Sequence, residues 1–297
     1  MTYSPMERFR DALKGKPEDR VPVFPMVAGW VAKNFADIPL AGLAAEPERI
    51  VEAQIRAMDA AGYDALFAYA HPLYVPESFG CNIRFAETGP IADPLPCALN
   101  SLEDVERLPV PDPEKSGPLV LNLRLVGLLS AHCGGDIPLF GLFEGPFTTA
   151  TRIIEAEKIL RMVIRNPELI EVLLDRINAF LVGFGRALIR NGANVLFVPE
   201  PSSSAAMISA QMFRGLVLPR LKTLADRLSV PVILHMCGDT MPMLDAMWET
   251  GVNVLSLDQC MDLSAARRRA PGAVLGGNVD PINALLLGNR EAVVEDT

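Results

Sequence analysis

The sequence predicts an α/β protein built on a parallel sheet, and three observations carry that expectation. Short apolar runs alternate with amphipathic stretches of helical length through almost all of the 297 residues. The runs are nearly continuous in hydrophobicity and do not alternate apolar with polar, as expected of strands covered on both faces. The length suits one α/β barrel, and neither a low-complexity linker nor an internal repeat marks a boundary. We therefore expect residues 1–297 to form a single (β/α)8 TIM-type barrel domain.

Seven strands are expected, at Val21–Pro25, Ala65–Tyr69, Ile137–Phe143, Asn194–Val198, Val230–Leu234, Val252–Leu257 and Ala273–Leu275. Residues 81–113 break the pattern. They are proline-rich, lack long periodicity and contain a helix start at Asn100-Ser101-Leu102-Glu103, so they read as an excursion of loop and hairpin. Between the third and fourth strands, Ile170, Leu173, Leu174, Ile177, Leu181 and Phe184 recur at helical spacing, and Gly192 follows as a stop. A barrel needs eight strands, and the chain ends at Thr297 inside the helix expected after the seventh. We read this as a barrel whose last βα unit is absent from the sequence, in preference to an open sheet.

Composition narrows the function. A net charge of −9 lacks the basic footprint of a general nucleic-acid binder. No run approaches the ~18 apolar residues of a membrane span, and residues 1–10 carry charge where a signal peptide is apolar. Five scattered cysteines do not form a disulfide framework. The expectation is a reduced, cytoplasmic protein that acts on small molecules.

The strongest chemical signal is His235-Met236-Cys237-Gly238-Asp239-Thr240, directly after the strand run Val230–Leu234. Side chains two apart in extended chain point the same way, so His235 and Cys237 can converge on one ion. Imidazole with thiolate suits zinc, and barrel sites lie at the C-terminal ends of strands. The alternative for so short a motif is a buried thiol beside a satisfied core histidine.

From Pro199 to Asp280 the chain resembles the zinc-dependent methylcobamide:thiol methyltransferases, the coenzyme M methyltransferase branch of the uroporphyrinogen decarboxylase superfamily. The residues that carry the resemblance are Pro199-Glu200-Pro201-Ser202-Ser203-Ser204, Ile208-Ser209-Ala210-Gln211-Met212-Phe213, Val217-Leu218-Pro219, the 232–240 segment and Gly276-Gly277-Asn278-Val279-Asp280-Pro281. Upstream, Arg20-Val21-Pro22-Val23, Pro76-Glu77-Ser78-Phe79-Gly80 and Gly145-Pro146-Phe147-Thr148 fall where superfamily members have similar residues. The resemblance implies a (β/α)8 barrel, a zinc held by His235 and Cys237, and methyl transfer to or from a corrinoid. The corrinoid is expected on a separate corrinoid protein, with a small methyl donor or acceptor as the other reactant. The family's third zinc ligand is a cysteine of the last strand region, which lies beyond Thr297; Cys260 is the candidate within this chain.

Further candidates sit at expected strand ends. Glu200 is read as an oxygen ligand or a group that orients substrate, or else as an exposed loop carboxylate. His71 is read as substrate-facing or as a turn histidine. Asn278 and Asp280 lie on the same rim. His132-Cys133-Gly134-Gly135 has the look of a ligand pair but reads as a helix end, and Arg267-Arg268-Arg269 as a solvated helix face. Two rival functions remain. A tetrapyrrole decarboxylase of the sister branch carries arginines after its first strand and an aspartate after its second; here those positions read Met26-Val27-Ala28-Gly29-Trp30 and Ala68-Tyr69-Ala70-His71-Pro72. A non-catalytic barrel that binds a corrinoid or a partner is the other.

Overall fold

A computed structural model describes residues 3–16, 19–27, 31, 34–38, 46–68, 71–86, 89–95 and 101–297. Six strands form one parallel sheet: β1 Leu66–Ala68, β4 Leu139–Leu142, β5 Val195–Pro199, β6 Val232–Met236, β7 Val254–Leu257 and β8 Val274–Gly276, neighbours in that order. They correspond to the second through seventh expected strands. A separate antiparallel hairpin, β2 Asn82–Ala86 with β3 Gly89–Asp93, lies in the 81–113 excursion, followed by the helix Leu102–Arg107. Ser101 and Asp104 cap that helix reciprocally. The helix read from its periodicity spans Pro167–Arg190. Gly134, at φ 56°, ends the helix Gly117–Cys133 as expected.

The first expected strand, Val21–Pro25, is not one. Pro22 and Pro25 carry no N–H, so a continuous ladder cannot form there. Instead Val23 alone exchanges bonds with Asp64: the Asp64 N–H donates to the Val23 carbonyl at 2.6 Å, and the Val23 N–H to the Asp64 carboxylate at 2.7 Å. Arg8 and Arg20 also grip Asp64, at 2.6 and 2.5 Å. A Cβ placed on Gly276 of β8 would lie 4.0 Å from the Phe24 ring, so this segment spans the gap between β1 and β8.

Register fixes which side chains enter the barrel. Phe67 of β1 pairs with Phe140 of β4; Leu142 of β4 with Phe197 of β5; Phe197 with Ile233 of β6; and His235 of β6 with Ser256 of β7. All of these share the inner face. On the outer face a Cβ at Gly141 would meet Leu188 of the helix layer at 3.2 Å, and Phe143 packs on Phe184. The barrel floor is aromatic. Phe9 of the helix Pro5–Leu13 and Phe24 pack on Phe140, at 5.8 and 5.3 Å between ring centroids. Phe67 then bridges Phe140 and Phe197 at 4.7 and 5.6 Å. Such edge-to-face packing contributes about 0.5–1.5 kcal/mol per pair beyond burial. Among the described residues no helix is long and apolar enough to cross a membrane.

Candidate active site at the rim of β4 to β8

His235 is the next-to-last residue of β6, and its ring lies 5.8 Å from that of Phe197 with only 22° between the planes. Its Nδ1 is hydrogen-bonded to Ser256 Oγ at 3.0 Å, which leaves Nε2 facing Cys237 Sγ at 3.5 Å. The chain then turns at Gly238, whose φ of 77° suits a glycine. The Gly238 N–H donates to Asp258 at 2.9 Å. Burial pushes the His235 imidazole below its ordinary range, against the pull of Ser256 and Asp258. Burial, helped by the Asp258 charge, pushes the Cys237 thiol up. As they stand, the pair is therefore a neutral imidazole and a neutral thiol, both available as ligands once the thiol loses its proton.

Asp258 was not singled out from the sequence. It follows Ser256 by two residues, so the strand alternation that brings Ser256 to His235 also aims Asp258 at the rim. Burial pushes its carboxyl up, but the N–H groups of Gly238 and Cys260 and the Cys260 thiol outweigh that and hold it below the ordinary value. The Cys260 thiol is itself raised, by burial and by this hydrogen bond to Asp258. Cys260 thus reaches the His235–Cys237 pair through Asp258. Among the described residues no three histidine, cysteine or acidic side chains converge closely enough to hold an ion by themselves.

Asn278 holds this loop in place. Its side-chain amide donates to the carbonyls of Asp258 at 3.0 Å and Met261 at 2.9 Å. Gly277 before it could not carry a side chain, since a Cβ would sit 2.5 Å from the Leu257 carbonyl oxygen. Asp280 is half-buried and is used in its own turn, accepting from the N–H groups of Ile282 and Asn283, both at 2.8 Å. Those bonds, with the Asn283 side chain, hold its carboxyl below the ordinary range.

The two buried carboxylates of the rim lie on opposite faces. The β5–β6 ladder continues to the Glu200 N–H, which donates to the His235 carbonyl at 2.8 Å, so Glu200 shares the outer face of Leu196 and Val198. It is fully buried, not an exposed loop carboxylate. Its Oε1 accepts from the Thr148 N–H at 2.6 Å, Thr148 Oγ1 at 2.7 Å and Ser203 Oγ at 3.0 Å. The helix Pro146–Ile153 starts from Gly145, which has no side chain to cap it. Glu200 does that work from the neighbouring strand. Burial raises its carboxyl to about 7 in spite of these bonds, with the Glu144 charge adding to the rise.

Glu144 faces the other way. The β4–β5 ladder runs past Leu142, with the Phe143 N–H on the Phe197 carbonyl at 3.3 Å and the Gly145 N–H on the Pro199 carbonyl at 2.8 Å. Glu144 therefore keeps the inner face of Phe140 and Leu142. Its Oε1 accepts from Arg152 Nε at 3.2 Å, while its Oε2 has no partner among the described residues. Sequence reading missed it, because a buried apolar run gives no clue to which face its last residue takes.

His71 is buried beyond β1, where its Nδ1 accepts from the Leu73 N–H at 3.3 Å and its Nε2 meets Glu77 at 3.2 Å. It lines a cleft with Tyr74, Glu77 and Asn122 that includes no residue of β5 to β8. The structure thus gathers His235, Cys237, Asp258, Cys260 and Asn278 at one rim and leaves His71 in a separate recess.

Comparison with known proteins agrees with this architecture. Residues 4–297 match the family described as uroporphyrinogen decarboxylase (URO-D). The methylcobamide:CoM methyltransferase MtbA of Methanosarcina acetivorans is 28% identical over 99% of this chain and 87% of its own length. A uroporphyrinogen decarboxylase of Alkalilimnicola ehrlichii is 31% identical over 93% of this chain and 79% of its own. In structure, a methyltransferase from Methanosarcina mazei superposes with a TM-score of 0.87 at 23% identity, covering 99% of this chain and 90% of that one. The chain is thus an enzyme that belongs to the uroporphyrinogen decarboxylase family, with the methylcobamide:CoM methyltransferases among its relatives.

Proposed function

We propose that this enzyme is a zinc-dependent methyltransferase. It moves a methyl group between a corrinoid, carried on a separate corrinoid protein, and a small thiol or a methoxy- or methylamine-type substrate. The observation that carries the reading is the 3.5 Å between His235 Nε2 and Cys237 Sγ. A tetrahedral zinc with a Zn–N contact of ~2.05 Å and a Zn–S contact of ~2.3 Å holds those two atoms about 3.6 Å apart. The spacing of these two donors suits the metal, and a third protein ligand has to complete the set.

Bound there, zinc supplies a Lewis acid that favours a thiolate over a thiol, or polarises the heteroatom of a methyl donor. The chain's own residues prepare the place. Ser256 sets the His235 ring so that Nε2 points at Cys237. Asp258 adds the nearby negative charge, and Asn278 fixes the loop that carries it. Phe197 and the aromatic floor line the site from below with apolar rings.

The first test is zinc per chain by elemental analysis, in the parent and in Cys237→Ser, alongside loss of methylcobalamin absorbance in the presence of thiols. We expect about one zinc in the parent and none in the variant. Methyl-corrinoid consumption that persists in His235→Ala and Cys237→Ala overturns the mechanism. Tetrapyrrole decarboxylation is the second reading, supported by relatives of that name. A substrate with eight carboxylates needs clustered guanidinium groups, whereas Arg152 at this rim is engaged by Glu144. Release of CO2 from uroporphyrinogen would establish it.

A further inference from the structure

We propose that Glu144 selects the small substrate: its Oε2 accepts a hydrogen bond from a donor group, ammonium or hydroxyl, that the substrate carries beside its reacting atom. The inference rests on the methyltransferase reading for the identity of that atom, and on the fold for everything else.

Four observations lead to it. The ladder bonds of Phe143 and Gly145 keep the backbone extended through Glu144, which places its side chain on the inner face with Leu142. Extended by the Gly145 bond to Pro199, the β4–β5 register sets Glu144 beside Pro199, which pairs with His235. Two steps of ~4.8 Å between strands put the Glu144 and His235 backbones about 10 Å apart, a span that a two-carbon substrate bridges between the two side chains. Glu144 is 5% exposed, so its Oε2 pays the desolvation of a buried acceptor without a donor among the described residues. Its other oxygen accepts from Arg152 Nε at 3.2 Å, and Thr149 Oγ1 donates to its backbone carbonyl at 3.1 Å, so both the backbone and the carboxylate are held in the direction seen.

Glu200, the other buried carboxylate of the rim, cannot take this part. Its Oε2 also lacks a hydrogen-bond partner among the described residues, but Glu200 lies on the outer face, with Oε1 committed to Thr148 and Ser203 and Oε2 packed against Gly145, away from His235. Burial pushes the Glu144 carboxyl up against the pull of Arg152; a donor or cationic group beside Oε2 offsets that rise, whereas an anionic end adds to it.

Three thiols of equal chain length test the proposal: 2-aminoethanethiol, 2-mercaptoethanol and 2-mercaptoethanesulfonate, each as acceptor from methylcobalamin with the zinc-loaded protein. The parent is expected to prefer the first over the last by at least about tenfold in kcat/KM. In Glu144→Gln, kcat/KM for 2-aminoethanethiol falls about 30-fold, carried by KM with kcat nearly unchanged, while that for the sulfonate stays or rises. A parent that prefers the sulfonate, or a variant that loses all three equally, overturns the inference; the second result means that Glu144 is only structural. If no thiol is methylated, isothermal titration of 2-aminoethanethiol and 2-mercaptoethanesulfonate separates the two ideas. Selective binding of the amine that Glu144→Gln abolishes keeps this inference while the methyltransferase reading fails. Equal binding of both, or of neither, ends it.

Discussion

Gly145→Ala isolates the contact between β4 and β5 that positions both rim carboxylates. Gly145 has φ −66° and ψ 173°, a conformation that alanine adopts freely, so the substitution carries no backbone strain. The whole effect is steric: the new Cβ would lie 1.9 Å from Glu200 Oε2 and 2.8 Å from its Cδ. Glu200 has to move, and its Oε1 then loses some of the bonds from the Thr148 N–H, Thr148 Oγ1 and Ser203 Oγ. A cap to a helix N-terminus contributes about 0.5–2 kcal/mol, and overpacking a rigid site costs about 1–3 kcal/mol. We expect a loss of about 2–4 kcal/mol in urea-induced unfolding. An unfolding entropy of about 2.1 cal/mol/K per residue, over 297 residues, is about 0.6 kcal/mol/K, so Tm falls by about 3–6 °C. Two companions sharpen the result. Gly183→Ala, inside the helix Pro167–Arg190 with nothing within 4 Å of the new Cβ, should stabilise by about 0.5–1 kcal/mol. The double variant Gly145→Ala/Glu200→Ala removes the clash and should be more stable than the sum of its parts by about 1–3 kcal/mol. A Gly145→Ala protein within 0.5 kcal/mol of the parent, or strict additivity in the double variant, would refute the placement of Glu200 on the outer face.

Three further outcomes follow from the same structure. Alkylation of the folded protein, mapped by peptide mass, should modify exposed Cys237 and Cys260 and spare Cys81 and Cys133; burial pushes the Cys133 thiol up to about 12, so it reacts only after unfolding. Asn278→Ala should lose about 1–2 kcal/mol and speed the labelling of Cys260, because the carbonyls of Asp258 and Met261 lose their clamp; unchanged labelling would mean that the loop holds itself. The hydrogen bond from Arg8 holds Asp19 down at about 2, below the usual carboxylate value of about 3.9. Its stabilising contribution is therefore complete above that value and is lost as pH falls through about 2, so Arg8→Met should flatten the acid limb of the stability profile between those pH values.

Much of the fold was legible because it rests on local physics. Continuous apolar runs located six of the sheet strands, and helical spacing located Pro167–Arg190 within a residue. The failure at Val21–Pro25 has a local cause too, in the prolines that deny the ladder its donors. The site was legible only in part. The two-residue spacing of His235 and Cys237 is a property of extended chain, and the structure brings the two side chains to 3.5 Å. Glu200 and Glu144 could not be told apart in this way. Each closes an apolar run, and whether such a residue faces the lumen or the helices depends on register with the neighbouring strand, which is a nonlocal fact. Asp258 was hidden for the same reason, since its importance lies in the N–H groups of Gly238 and Cys260 that converge on it. Asn278 and Asp280 follow β8, and their hydrogen bonds serve the loops around them.

The aromatic floor also governs traffic. Phe9, Phe24, Phe67 and Phe140 fill the lower end of the barrel with packed rings, which makes the strand ends above the side from which His235 is approached. On the proposed function, a corrinoid protein seated on those strand ends covers the small reactant's way in and out. For the proposed reaction this imposes a queue: the small reactant enters first, the corrinoid partner docks over it, and the product waits for the partner to leave. Initial-rate kinetics should accordingly show a compulsory order with the small molecule leading, a sequence imposed by a closed floor far from any reacting atom.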